Sequence, residues 1–287
     1  MSDLVAAIAS FRPVLDHAVI NVMGELDEAA GQYTRLGFQL TERGHHTLGS
    51  SNNLAIFGTN YLELLGYLPG RETLRADLWA HPTGLTGLVF KSVDADLVHS
   101  TLQQRGVPVQ EPMSFARPVA LPGGAQDARF KVIRVAGDAV QNGRTFFCHH
   151  DTPELVYRPE WRRHPNGVTD IVEFVIASRQ PVRTAAVYDR MFGPDLLTLV
   201  HGGVSFRAGA ATVLVLEPSA IAERFAGAAL VSADGSDRMV ALTFKVASLD
   251  TPRGLFDAAG IAYRPHGGGI VVSHTDAANV ALGFIAV

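Results

Sequence analysis

Gly87-Leu-Val-Phe-Lys-Ser-Val-Asp94 and Ala241-Leu-Thr-Phe-Lys-Val-Ala-Ser248 read as two versions of one strand, set 154 residues apart. Each belongs to an extended apolar opening, 85–92 and 240–246, that leads into a helix-period segment and then into strand-like runs parted by Gly-rich turns. Two more openings of this kind stand at 15–22 and 169–176. The helical segments after them share an outline, Tyr33-Thr-Arg-Leu36 against Tyr188-Asp-Arg-Met191. With His17, Gly87, Asp170 and Ala241 taken as equivalent, successive spacings are 70, 83 and 71 residues, and the half-chain offsets are 153 and 154. Near-equal spacings of this kind indicate a paired repeat, with four modules arranged two per domain.

Each module reads as β-α-β-β-β. The expected fold is therefore α+β: four βαβββ modules paired into two domains, each a curved, mostly antiparallel sheet that forms a cup with its helices outside. Alternation along the strands sends every second side chain into the cup, where a small ligand fits. The expected divisions are a first domain over 1–150, a connector over 151–166, and a second domain over 167–287. The connector holds Pro153, Pro159 and Pro165 and ends in the turn signal His164-Pro-Asn-Gly167. Leu155, Tyr157 and Trp161 give it apolar anchors, so it is expected to lie ordered against the protein.

The bulk composition narrows the function. A chain of 287 residues, 47% hydrophobic and 18% charged, has the make-up of well-packed globular domains. Its net charge of −4 is spread out, without the Lys/Arg runs that neutralise phosphates, which argues against nucleic acid and membrane as partners. The single cysteine, Cys148, excludes an internal disulfide framework and fits a reducing compartment. Residues 1–12 lack the pattern of a signal peptide, and no apolar stretch approaches the roughly 20 residues needed to span a bilayer. A cytoplasmic protein is expected, with a homodimer as one way to cover the sheet edges.

Three stretches in the first half carry a family resemblance: Leu15-Asp-His17-Ala-Val-Ile-Asn-Val22, Gly44-His-His-Thr-Leu-Gly-Ser-Ser-Asn-Asn53, and Tyr61-Leu-Glu63-Leu-Leu-Gly66. They resemble the glyoxalase-like branch of the vicinal oxygen chelate superfamily, which also includes fosfomycin-resistance proteins and extradiol dioxygenases. The resemblance implies two glyoxalase-like domains and a divalent metal held by the first and last strand of each module. Carried onto this sequence, it implies His17 and Glu63 as ligands from the first module. In the second module it implies Gly87, which offers no donor, and His149. His150 is the alternative, because neighbours on a strand face opposite ways and one bulge exchanges them. A two-His, one-carboxylate set suits Fe, Mn, Zn or Ni. Independently of any family, a carboxylate inside the apolar run Tyr-Leu-Glu-Leu-Leu calls for a partner, since burying it alone is costly.

The same resemblance makes Glu63 the candidate catalytic base and His46, Asn53 and His150 the candidate substrate contacts. Arg117 and Arg129 lie near strands of the second module, where a guanidinium can meet a substrate carboxylate. The flanks of Cys148, Phe146 and Phe147, mark it as an ordinary buried thiol and not a nucleophile. Gly267-Gly-Gly269 reads as a hairpin turn. In the second half the counterparts Asp170, Val215 and Ala241 make no metal site, although Glu217 shares a strand face with Val215, so that domain is expected to be degenerate. Three functions are consistent with this reading: a metal-dependent lyase or isomerase polarising vicinal oxygens of a small metabolite, an extradiol-type dioxygenase, and a metal-free small-molecule binding or drug-sequestering protein.

Overall fold

A computed structural model describes residues 11–137, 141 and 143–286. Most of the 1–12 segment read above therefore lies outside the described residues. Eight strands form a first sheet: β1 (Leu15–Met23), β2 (Gly44–His45), β3 (Ser51–Ile56), β4 (Tyr61–Gly66), β5 (Gly84–Ser92), β6 (Met113–Val119), β7 (Gln126–Arg134) and β8 (Arg144–His150). Eight more form a second: β9 (Val168–Ala177), β10 (Thr198–Val200), β11 (Gly203–Ala208), β12 (Ala211–Leu216), β13 (Arg238–Val246), β14 (Tyr263–His266), β15 (Gly269–Val272) and β16 (Ala281–Ala286).

The strand orders are β2-β3-β4-β1-β5-β8-β7-β6 and β10-β11-β12-β9-β13-β16-β15-β14, the same pattern twice. Within each module the first and last strands pair in parallel, and two modules join antiparallel through their first strands, β1 with β5 and β9 with β13. This is the arrangement expected of two glyoxalase-like domains. Helices follow the first strand of every module, at Leu26–Arg35, Ala95–Gln104, Pro181–Phe192 and Asp250–Ala259. The second of these starts cleanly because the Asp94 carboxylate accepts hydrogen bonds from the Asp96 and Leu97 amides, both at 3.0 Å.

Alternation divides the strands between two environments. Ala18, Ile20, Leu62, Leu64, Leu88, Phe90 and Phe147 point to the convex, helix-covered side, as do Phe174, Ile176, Val213, Leu242 and Phe284 of the second sheet. These convex faces and their helices merge into one shared core, in which Phe38 packs on Phe244 and Phe90 on Phe206. The matched tyrosines close it reciprocally. Tyr33 donates to the Ala277 carbonyl of the second half, and the Tyr188 hydroxyl meets Thr145 of the first. The concave faces keep separate clusters, one around Val19, Val89 and Phe130, the other around Val175, Leu214 and Ala241.

The first sheet nearly closes on itself. Just beyond β2 the Thr47 amide donates to the Ala116 carbonyl of β6 at 3.1 Å, which joins the two edges of the sheet across the mouth of the cup. Residues 151–166 run along this half, with Leu155 and Val156 buried and the Asn166 amide bonded to the Gly37 carbonyl. Among the described residues no helix is long and apolar enough to cross a membrane.

Candidate metal and substrate site

The cup of the first sheet is a pocket whose polar lining includes His17, His46, Ser50, Asn52, Glu63 and four arginines. β1 delivers His17 and β4 delivers Glu63. The strands pair in parallel with Val19 beside Glu63, so His17 and Glu63 fall on one face two residues apart in register. His17 Nε2 lies 3.7 Å from a Glu63 oxygen, and both side chains are almost fully buried.

Asp16 fixes the histidine from behind. It occupies an irregular step in the β1–β5 register, between Leu15 and His17, and is completely buried. Its Oδ2 accepts from His17 Nδ1 at 2.7 Å and from His150 Nε2 at 2.9 Å, while Oδ1 accepts from the Tyr157 hydroxyl at 2.7 Å. Burial alone would raise the Asp16 carboxyl, but the charge and hydrogen bonds of His150 and then His17 outweigh it and hold Asp16 ionised well below the usual carboxylate range. A carboxylate can only accept, so His17 carries its proton on Nδ1 and presents the Nε2 lone pair to the cup. This is the orientation that a carboxylate imposes on a metal-ligating histidine.

Glu63 is held as firmly. Asn52 donates from Nδ2 to Glu63 Oε1 at 2.6 Å and lies 3.2 Å from His46 Nε2, whose other ring nitrogen meets the Ser50 hydroxyl at 2.9 Å. Burial brings the His46 imidazole down to about 4, against the pull of Glu63 and with help from Arg117 and Arg75, so it is neutral near pH 7. A neutral ring suits the role of acceptor from Asn52.

The other candidate residues are dispersed. On β8 the cup side holds Arg144, Phe146, Cys148 and His150, whereas His149 faces away, with Nδ1 near the Ser92 carbonyl at 3.1 Å and Nε2 near Asp151. The structure therefore does not bring His149 to His17 and Glu63. His150 is committed to Asp16. Asn53 also faces away from the cup, bonded to Arg43 and the Thr41 carbonyl, and its neighbour Asn52 has the inward place. Arg129 is exposed. Arg117 lies in the cup, together with Arg75, Arg134 and Arg144.

Two of the four ligand positions implied by the resemblance lack donors. Just as β4 sets Glu63 beside Val19, two residues past His17, β8 sets Phe146 beside Val89, two past Gly87. Gly87 is glycine for a packing reason: a Cβ there would come within 2.6 Å of Val19 Cβ. A different trio, Asp16, Cys148 and His150, is the one group of three or more among the described residues whose ligand atoms lie within 4.8 Å of one another. Its donors are poorly suited to an ion, because the Asp16 oxygens already serve three donors and burial pushes the Cys148 thiol well up. His17 and Glu63 fit better, with open positions for water and substrate oxygens.

In the second half the register corrects the expected counterpart of His17. Thr243 faces Glu173 as Val89 faces His17, and Phe244 faces Ile171 as Phe90 faces Leu15. The equivalent is thus Glu173, not Asp170: β9 and β13 repeat the irregular steps of β1 and β5, and the stretch from Glu173 to Ala241 is two residues shorter than that from His17 to Gly87. Asp170 instead accepts from the amide and hydroxyl of Thr59. Glu173 is engaged by Arg224 and the Thr243 hydroxyl, and the remaining counterparts are Leu214, Ala241 and Gly283.

With this geometry in place, the sequence profile of the glyoxalase-like domain matches residues 15–192, more than half of the chain. The chain belongs to the glyoxalase-like domain family. No curated protein matches it. Among solved structures, a hypothetical protein from Staphylococcus aureus superposes with a TM-score of 0.66 at 12% identity, covering 95% of this chain and 99% of that one. A mutant of 4-hydroxymandelate synthase from Streptomyces coelicolor gives 0.58 at 14% identity, over 96% of this chain and 92% of the other. A xylose isomerase-like TIM barrel/4-hydroxyphenylpyruvate dioxygenase fusion protein gives 0.53 at 16% identity, over 88% of this chain and 39% of its own. At these identities the likeness is one of fold. The glyoxalase-like match covers all of the first cup and reaches the end of helix Pro181–Phe192.

Proposed function

We propose that this protein is a metal-assisted enzyme of the lyase or isomerase type, acting in its first cup on a small molecule that bears adjacent oxygens. The observation that carries this reading is the convergence of His17 Nε2 and Glu63 at 3.7 Å, with the histidine oriented by Asp16. Those two residues would hold the ion. Once bound, a divalent ion supplies Lewis-acid polarisation of substrate oxygens and lowers the barrier to losing a neighbouring proton.

The chain's own residues account for the rest. Glu63 is the base, its second oxygen held by Asn52 so that the first stays aimed at the cup. Asp16 keeps His17 in the tautomer whose Nε2 faces inward. Phe115, Phe130, Phe146 and Leu78 give the pocket apolar walls that limit water around the reacting atoms.

A second reading, a metal-free small-molecule binding protein, draws support from Gly87 and Phe146, which leave half of the ligand positions without donors. Metal analysis of untagged protein separates the two. The enzymatic reading expects about one divalent ion per chain, lost in both His17→Ala and Glu63→Ala. Folded wild-type protein that takes up no divalent ion, or folded variants that bind it undiminished, overturns the reading.

A further inference from the structure

Two of the four arginines in the first cup, Arg117 and Arg144, form no ion pair among the described residues. Arg75 and Arg134 share Asp77: Arg75 grips it through Nε and Nη2 at 2.9 Å each, and Arg134 Nη1 lies 3.7 Å away. Arg117 has Glu63 as its nearby carboxylate and Arg144 has Glu63 and then Asp77, but Glu63 is already engaged by Asn52 and faces His17, and Asp77 is held by Arg75 and Arg134. Arg117 is 3% exposed, and its Nη2 is buried without a hydrogen-bond partner. Arg144 lies over the Phe146 ring, 5.6 Å from its centroid, and its Nε is likewise buried and unpartnered.

Buried N–H groups without partners are uncommon, and on a guanidinium they cost more than on a neutral group. The fold nevertheless makes room for them. Gly44 lies against Arg117 so closely that a Cβ there would come within 2.5 Å of Arg117 Cδ and 2.7 Å of Nη1. The Thr47–Ala116 closure is what brings β6, and Arg117 with it, over the cup. A third orphan, Asn52 Oδ1, is a buried acceptor in the same pocket.

We propose that the first cup recognises its ligand by an oxyanion group, a carboxylate or phosphate drawn in by the unpaired positive charges of Arg117 and Arg144 in the pocket wall. Paired N–H donors on a planar guanidinium match the oxygens of either group, and they do so far more strongly than a neutral amide. The orphan Asn52 oxygen is positioned for a hydroxyl on the same molecule, and the aromatic walls accept an apolar body. This deepens the enzymatic reading by naming the substrate class: a hydroxylated organic anion. It rests on that reading for the identity of the pocket but not on a bound ion.

The test uses chelator-treated, metal-free full-length protein, titrated with inorganic phosphate, with benzoate, and with benzyl alcohol as a neutral match to benzoate. Saturable binding of phosphate or benzoate is expected, at least tenfold tighter than benzyl alcohol, and the preferred anion distinguishes phosphate from carboxylate. Arg117→Gln and Arg144→Gln are each expected to weaken it at least tenfold, with Arg117→Lys and Arg144→Lys retaining part of the binding and exposed Arg129→Gln retaining all of it. If a glutamine variant does not fold, its lysine variant and the comparison of benzoate with benzyl alcohol in wild-type protein carry the test. Anions that bind wild-type protein no better than benzyl alcohol, or folded glutamine variants that bind them undiminished, overturn the proposal. Because the protein is metal-free, anion binding alongside failed metal uptake would count against the enzymatic reading only.

Discussion

The two cups share one strand order and one register and differ in what lines them. In the first, the β4–β5 connection contributes Arg75 and Leu78 to the pocket, and the interior is hydrogen-bonded from Ser50 through His46 and Asn52 to Glu63, which faces His17 across 3.7 Å, and His17 is in turn bonded to Asp16. In the second, the β12–β13 connection packs Ala220, Ile221, Phe225 and Ala228 onto the concave face, against Val175, Leu214 and Ala241. The position of His17 becomes Glu173 and is neutralised by Arg224. The second concave face still lines a cavity, walled by Glu173, Arg224, Thr243, Leu214 and Phe225, so the two copies share a backbone and a concavity and differ in the groups that line it.

The largest expected effect comes from breaking the polar frame of the first cup. Asp16→Ala leaves His17, His150 and the Tyr157 hydroxyl without their common acceptor, so chemical denaturation should show a loss of about 3–5 kcal/mol. A loss below about 1 kcal/mol, within the range of an ordinary surface change, would show that Asp16 does not organise the site. Thinning the apolar wall of the second cup should come next. Phe225→Ala removes a buried ring and should cost about 3 kcal/mol, yet leave anion and metal binding in the first cup unchanged, as measured by titration of the folded variant. Altered ligand binding in that variant would mean that the cups are coupled.

A smaller effect should appear with pH. His46 is buried neutral, with its pKa brought from the ordinary 6.5 to about 4. The linked stability is therefore fully present above about pH 6.5 and declines as the pH falls toward 4, by about 3 kcal/mol at most. Denaturation midpoints at pH 7.5 and 4.5 should drop more for wild-type protein than for His46→Asn. Equal drops would assign the acid sensitivity elsewhere.

The repeat was legible because alternation and spacing are backbone properties that survive the loss of side-chain chemistry. Phe90 with Phe244, and Tyr33 with Tyr188, marked equivalent places, and each pair stands at equivalent places in the structure. The site was legible where an alternating strand carried one polar residue among apolar ones, as at His17 and Glu63. It was illegible where both faces of a strand are apolar. In Phe146-Phe147-Cys148-His149-His150 the concave and convex sides are equally hydrophobic, so sequence could not decide between the two histidines. Asn52 and Asn53 posed the same problem. Residue counting points to Asp170 as the counterpart of His17 because it carries no sign of the two residues by which the Glu173–Ala241 stretch is the shorter. Arg144 drew no notice, since an arginine at a strand start reads as a solvated end, and only the closed sheet makes it a cup residue.

The central claim, that one cup binds an ion through His17 and Glu63 while the other has Glu173 paired with Arg224 in the histidine's place, is tested most directly by cobalt(II) titration of wild-type, His17→Ala and Glu173→Ala proteins. The expected result is one equivalent per chain without a thiolate charge-transfer band, lost in His17→Ala and kept in Glu173→Ala. A thiolate band would place the ion at Cys148. That band, a second equivalent lost with Glu173, or no binding at all would contradict the claim.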